Sequence, residues 1–123
     1  MATILVVDDK FEMREYLRDL LEIYGYEVIM AADGNEAVSI YTEMKGRIDL
    51  VITDILMPEK DGEETILELK NLNPEVKIIA ISGGGILSAR DHLEIVEYLY
   101  VDYTFEKPIK KAELLQAIRS LLD

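Results

Sequence analysis

Five side chains of chemically useful type stand where apolar runs end. Asp8 and Asp9 follow Thr3 to Val7, Asp54 follows Leu50-Val51-Ile52-Thr53, Ser82 follows Val76 to Ile81, and Lys107 comes just after Tyr100 to Phe105. If those runs are neighbouring strands, the five side chains meet at one edge. Three carboxylates held close together repel one another unless positive charge sits between them. A hard divalent cation meets that need: magnesium prefers oxygen ligands, keeps several waters, and is often held by one or two carboxylates plus a phosphate. Lysine adds a compact positive charge for a phosphoryl group, and a serine hydroxyl adds a hydrogen-bond donor. A carboxylate can itself be the nucleophile. The set suits phosphoryl transfer onto Asp54, with Mg2+ and Lys107 stabilising charge on the transferring group.

The elements that must position them follow from pattern. Leu50 to Thr53 is apolar or β-branched throughout, as in a strand buried on both faces of a parallel sheet. Pro58 cannot extend a ladder, so this strand ends at about Asp54. Glu27 to Ala31 reads as a short second strand, Val76 to Ile81 as the fourth and Tyr100 to Phe105 as the fifth. Between them lie helical stretches. Phe11 to Tyr24 carries Met13, Tyr16, Leu17, Leu20, Leu21 and Tyr24 on one face, with Gly25 as its stop. Asp33 or Asn35 caps the next helix, whose apolar face is Ala37, Val38, Ile40, Tyr41 and Met44. Asp61-Gly62 opens a third, with Ile66, Leu67, Leu69 and Leu72 inward, closed by Asn73-Pro74. Ile86 to Tyr98 reads as a fourth, and Lys110 to Leu122 as the last, with Leu114, Leu115, Ile118, Leu121 and Leu122 inward. Strands alternating with helices call for an α/β fold with right-handed crossovers. A doubly wound, five-stranded parallel sheet of order 2-1-3-4-5, the flavodoxin-like (βα)5 arrangement, fits this size. It makes the first and third strands neighbours and puts all five side chains at the carboxyl edge, where open α/β sheets bind ligands.

Composition narrows the function classes. At 123 residues the chain is one domain, 1–123, with enough length for a core. It has no cysteine, which excludes disulfides, thiolate metal sites and thiol nucleophiles. A formal charge of −12 opposes direct binding to nucleic acid or anionic membrane. No signal peptide or membrane span is legible, so a cytoplasmic protein is expected.

Asp8-Asp9, the run Asp54-Ile-Leu-Met57-Pro58-Glu-Lys-Asp61-Gly62, Ser82 and Lys107-Pro108 together resemble the receiver domain of two-component response regulators, of the chemotaxis-regulator-like kind. The resemblance spans the whole chain in order. It implies that Asp54 accepts a phosphoryl group from a phosphohistidine on a sensor histidine kinase or histidine phosphotransfer protein. It implies direct Mg2+ ligation by Asp9 and Asp54, with Asp8 acting mainly through water and the Leu56 backbone carbonyl contributing. Ser82 and Lys107 would read the phosphorylated state, and the Lys107–Pro108 peptide would be cis. The face of the fourth helix, fifth strand and fifth helix, where Tyr98, Tyr100, Tyr103 and Phe105 cluster, is the expected homodimer or output contact. The domain would be a switch rather than an enzyme with a released small-molecule substrate. Both a stand-alone receiver and a piece of a larger regulator or hybrid kinase fit the chain.

The chain departs from the family pattern in three places. Thr104 stands three residues before Lys107, where the family often has a switching aromatic. Strand alternation gives Tyr103 and Phe105 one face and Thr104 the other. The stretch from Ser82 to Lys107 is a few residues longer than usual, and Gly83-Gly84-Gly85 is expected to absorb the excess as a turn mobile without phosphate. Leu56 and Gly84, two residues after Asp54 and Ser82, offer no polar side chain to orient a water, which implies slow self-hydrolysis.

Each residue alone has a plainer reading. Asp8 or Asp9 could cap the first helix, Ser82 is a common turn residue, and Lys107 alone would be surface. His92, off the apolar stripe of its helix, reads as solvated, and Met13, Met30 and Met44 as core filler. An aspartyl-phosphate hydrolase of the haloacid-dehalogenase kind would need an Asp-x-Asp pattern after the first strand, which Asp8-Asp9-Lys10 lacks. A flavodoxin-like flavin carrier would need a phosphate loop there, which two carboxylates oppose.

Overall fold

The computed structural model describes residues 1–44, 46–55, 62–83 and 101–123. The expected helix over Ile86 to Tyr98 with His92, the Leu56 carbonyl, Met57 and the Gly84-Gly85 turn lie outside the described residues. Strands β1 (Thr3–Val7), β2 (Glu27–Ala31), β3 (Leu50–Asp54) and β4 (Ile78–Ser82) alternate with helices α1 (Phe11–Ile23), α2 (Gly34–Met44) and α3 (Gly62–Leu72). Strand β5 (Tyr103–Glu106) leads into the C-terminal helix α4 (Lys111–Leu122). Every strand pairing is parallel and the order is β2-β1-β3-β4-β5, the doubly wound arrangement expected.

The three inner strands are buried at every position, which is why they read as unbroken apolar runs. Their side chains alternate between two cores. Leu5, Val7, Val51, Ile78 and Ala80 pack with Ala37 and Tyr41 of α2 and Ile66 and Leu69 of α3. Ile4, Val6, Ile52, Ile79 and Ile81 pack with Leu17 and Leu21 of α1 and Leu114 and Ile118 of α4. Each fully buried Leu or Ile contributes roughly 2 kcal/mol relative to exposure. The carboxyl ends of β1, β3 and β4 are therefore clamped between two cores, and the residues that end them have little freedom.

Helix α2 is capped by a side chain, whereas the N-caps of α1 and α4, Lys10 and Lys110, make no side-chain cap bond. Glu36 N–H donates to Asp33 Oδ1 at 2.8 Å while Glu36 Oε1 accepts from Ala32 N–H at 3.0 Å. Asp33 is thus the cap of α2, in a reciprocal pattern. Gly25 takes the left-handed position after α1, at φ 90°. Neither Asp8 nor Asp9 caps α1, whose N-cap is Lys10.

Three expectations are corrected. Tyr16 and Tyr24, expected inward from helical spacing, are 45% and 50% exposed. The buried stripe of α1 is Leu17, Leu20 and Leu21, three and four residues apart, and the tyrosines flank it. Leu67 is 44% exposed, because Gly62, Thr65, Ile66 and Leu69 already fill the inward face of α3. Strand β5 starts at Tyr103, so Val101 and Asp102 of the expected run lie ahead of it. Ahead of it, Asp102 N–H donates to Ile78 O and Asp102 Oδ2 accepts from Ile78 N–H, both at 2.9 Å, so a side chain replaces one rung of the ladder. The Lys107–Pro108 peptide is cis, as expected.

Candidate functional site

The β1–β3 pairing sets Val7 beside Thr53, so the residues just past them, Asp8 and Asp54, emerge together. Asp8 is 2% exposed and Asp54 5%. Asp9 is partly exposed beside them, and one carboxylate oxygen from each of the three lies within 4.8 Å of the others. Across the edge, β4 pairs with β3 and β5 with β4, bringing Ser82 and Lys107 to the same side of the molecule. Lys107 N–H donates to Ser82 O at 2.8 Å, carrying the β4–β5 pairing one residue past the strand. The Lys107 ammonium then donates to Asp54 Oδ2 at 2.9 Å and to Asp8 Oδ2 at 3.2 Å. Four of the five residues expected at this edge are in direct contact or within one cation's reach. The fifth, Ser82, is buried there, and its hydroxyl has no hydrogen-bond partner among the described residues.

Burial pushes the Asp8 carboxyl above the ordinary aspartate value, and the neighbouring Asp54 charge adds to that; the Lys10 N–H at 2.8 Å and Lys107 oppose it. Burial disfavours the Lys107 ammonium, but its hydrogen bond to Asp54 and the charges of Asp8 and Asp54 outweigh this and hold it above the ordinary lysine value. The lysine is therefore charged throughout the neutral range.

A testable consequence concerns Asp8. The folded state holds this proton more tightly than the unfolded chain does. Stability from this group therefore falls as pH rises from the ordinary aspartate value through the raised folded value, and stays lower above it. Asparagine cannot ionise. In chelator, Asp8→Asn is expected to be more stable than wild type at neutral pH, by a margin that grows across that window and then levels off. Urea unfolding at a series of pH values checks it; a margin that stays flat or shrinks with rising pH contradicts it.

The donor set is oxygen only, with no imidazole or thiolate, and its carboxylates are compactly placed. That chemistry fits a hard divalent cation. The structure also shows two residues whose roles the sequence pattern did not reveal. Arg14 donates from its guanidinium to the Asp8 backbone carbonyl at 2.7 Å. Gly62, read only as a helix start, lies against the Asp54 backbone: a Cβ there would fall 2.0 Å from the Asp54 carbonyl oxygen. On β5, Tyr103 and Phe105 share the α4 side of the sheet, with rings stacked at 6.3 Å and 17°, and Tyr103 Oη lies 2.9 Å from Ser120 Oγ. Thr104 pairs in register with Ala80, which packs in the core on the opposite side of the sheet.

The family model for the response regulator receiver domain matches residues 4–119. The chain belongs to that family. As a receiver it is similar to the transcriptional regulatory protein CpxR of Escherichia coli K12, at 34% identity over 99% of the chain and 50% of CpxR. The chain thus spans half the length of that relative. It is also similar to the chemotaxis protein CheY of Thermotoga maritima, at 43% identity over 67% of the chain and 68% of CheY. Among solved structures, the response regulator TrrA of Thermotoga maritima, in complex with Mg2+-BeF, superposes with a TM-score of 0.84 at 32% identity, covering 99% of this receiver and 100% of TrrA. Among the described residues no helix is long and apolar enough to cross a membrane.

Proposed function

We propose that Asp54 of this receiver accepts a phosphoryl group from a phosphohistidine on a sensor histidine kinase or histidine phosphotransfer protein, in the cytoplasm. One observation carries the reading: a buried carboxylate at the end of the central strand, with Lys107 on it at 2.9 Å and two further carboxylates within 4.8 Å. Asp8, Asp9 and Asp54, with the Leu56 carbonyl, would hold Mg2+, and the Mg2+-BeF complex of TrrA supports that choice of ion. Bound Mg2+ supplies charge neutralisation on the oxygens of the transferring group. A carboxylate oxygen of Asp54 forms the new O–P bond as the P–N bond breaks. The electron pair of that bond stays on the imidazole, which takes a proton from solvent.

Switching follows from what Lys107 and Ser82 gain. The acyl phosphate carries about −1.5 to −2 charge in place of the single charge of the carboxylate, and its oxygens compete with Asp8 for Lys107. The Ser82 hydroxyl acquires an acceptor, and leaving a buried donor unsatisfied costs about 1–3 kcal/mol. Moving a switch from mostly off to mostly on needs a differential of about 5.5 kcal/mol, so this hydroxyl and the charge-assisted lysine bond together are of the right order. The face of β5 and α4, where Tyr103 is partly exposed, is the proposed homodimer or output contact. No direct contact with nucleic acid or membrane is proposed, given the charge of −12. The receiver releases no small-molecule product of its own beyond slow self-hydrolysis.

The test uses a labelled phosphohistidine protein as donor. Label is expected to move to wild type and not to Asp54→Asn, and to persist on wild type long after the donor is removed. Equal labelling of Asp54→Asn contradicts the acceptor assignment, and loss of label within seconds contradicts slow hydrolysis.

A further inference from the structure

The acid pair is held unevenly. Asp8 is tied at three points: its N–H donates to Ala31 O at 3.2 Å, its Oδ1 accepts from Lys10 N–H at 2.8 Å, and its Oδ2 accepts from Lys107 at 3.2 Å. Asp9 contributes an oxygen to the same carboxylate cluster. Its ion pair is with the exposed Lys10, at 3.7 Å, too long and too solvated to fix a side chain. The Lys10 N–H bond to Asp8 Oδ1 holds the peptide that follows Asp9; the peptide that precedes it is held separately.

The peptide bond between Asp8 and Asp9 is a rigid plane that carries the Asp8 carbonyl oxygen and the Asp9 Cα together. Fixing that oxygen fixes the plane, and with it the point from which the Asp9 side chain starts. The Arg14 guanidinium does this, donating to Asp8 O at 2.7 Å from the first turns of α1. The guanidinium carbon also lies 5.8 Å from the centroid of the Phe11 ring, so the fork is held from a second direction. Helix α1 is seated in turn by the fully buried Leu17 and Leu21. The chain of support runs from core to helix, from helix to arginine, and from arginine to the acid pair.

We propose that Arg14 is a positioning residue for the cation site: it clamps the Asp8–Asp9 peptide plane so that Asp9 and Asp8 present their carboxylates to one Mg2+. This rests on the reading of the cluster as a Mg2+ site. It also has a sign that separates it from simple electrostatics. Removing a positive charge from beside three carboxylates would, through charge alone, tighten binding of a cation. Removing the clamp loosens it.

Calorimetric titration of Mg2+ into the receiver, at fixed ionic strength, reads that sign directly. Arg14→Ala is expected to bind Mg2+ roughly tenfold more weakly than wild type, the size typical of losing a group that orients a metal ligand. Arg14→Met keeps an unbranched stem against Phe11 and should show the same loss if the alanine variant folds poorly. Arg14→Lys keeps a donor and the charge and is expected to recover most of the affinity. Equal or tighter binding by Arg14→Met, with circular dichroism unchanged, overturns the proposal, as does an Arg14→Lys protein no better than Arg14→Met. A wild type that binds no Mg2+ at all would instead overturn the reading of the site itself.

Discussion

Lys107→Ala is expected to slow phosphoryl acceptance from a small phosphodonor by about 10²–10³-fold, the cost of removing a preorganised donor aimed at developing charge. Its ammonium touches both Asp54 and Asp8, and no atom of alanine reaches either. The same change should lower stability in chelator at neutral pH. Asp8 and Asp54 are almost fully buried, and without Lys107 they face each other as like charges. Breaking one partner out of a buried pair costs about 3–5 kcal/mol, and the lower end applies here because Lys107 is itself 25% exposed and the cluster opens to water. The loss should shrink as pH falls and Asp8, whose carboxyl is held above the ordinary aspartate value, takes up a proton. It should also shrink when Mg2+ is added, since a ligand at one hundred times its dissociation constant stabilises by about 2.7 kcal/mol. Urea unfolding with and without chelator, beside initial rates of adduct formation, measures both effects. An acceptance rate equal to wild type would show that the lysine does not act on the transferring group.

Gly62→Ala is expected to destabilise the receiver by about 3 kcal/mol or more, at or beyond the upper end of ordinary overpacking. The reason is what the methyl would meet. The nearest atoms are the Asp54 carbonyl oxygen at 2.0 Å, Ile55 Cα at 2.5 Å and Asp54 C at 2.9 Å, all backbone at the end of a central strand. A side chain can swing aside, but this backbone is held by Ile55 N–H donating to Ile81 O at 2.9 Å and Gly62 N–H donating to Ile55 O at 2.6 Å. Relief must come from moving the first turn of α3 or the peptide that carries Asp54. The second of these shifts the acceptor itself, so acceptance should fall along with stability. A Gly62→Ala protein with the wild-type urea midpoint would mean that α3 moves away from Asp54 freely.

Much of the fold was legible because parallel sheets bury both faces. The unbroken apolar runs of β1, β3 and β4 marked the three inner strands, and the polar residue ending each run, Asp8, Asp54 and Ser82, marked the functional edge. Asp8, Asp9, Asp54 and Lys107 could be read because their side chains do the contacting. Arg14 and Gly62 could not, because each acts on a backbone carbonyl, of Asp8 and Asp54 respectively, and periodicity carries no trace of such a contact. An arginine one helical turn or so beyond an acid pair, and a glycine where a helix begins beneath a strand end, were the available signals. Tyr16, Tyr24 and Leu67 misled for a different reason. A large apolar residue at the margin of a stripe satisfies helical spacing whether or not anything covers it. The start of β5 is not legible because Asp102 uses its carboxylate as a ladder rung.

The most direct measurement is intact mass after incubation with Mg2+ and acetyl phosphate, on wild type and Asp54→Asn. The account predicts a single phosphoryl adduct on wild type, none on Asp54→Asn, and none on wild type when Mg2+ is chelated. An adduct of equal extent on Asp54→Asn, or a wild type left unmodified by acetyl phosphate and by its cognate phosphohistidine protein alike, would contradict it.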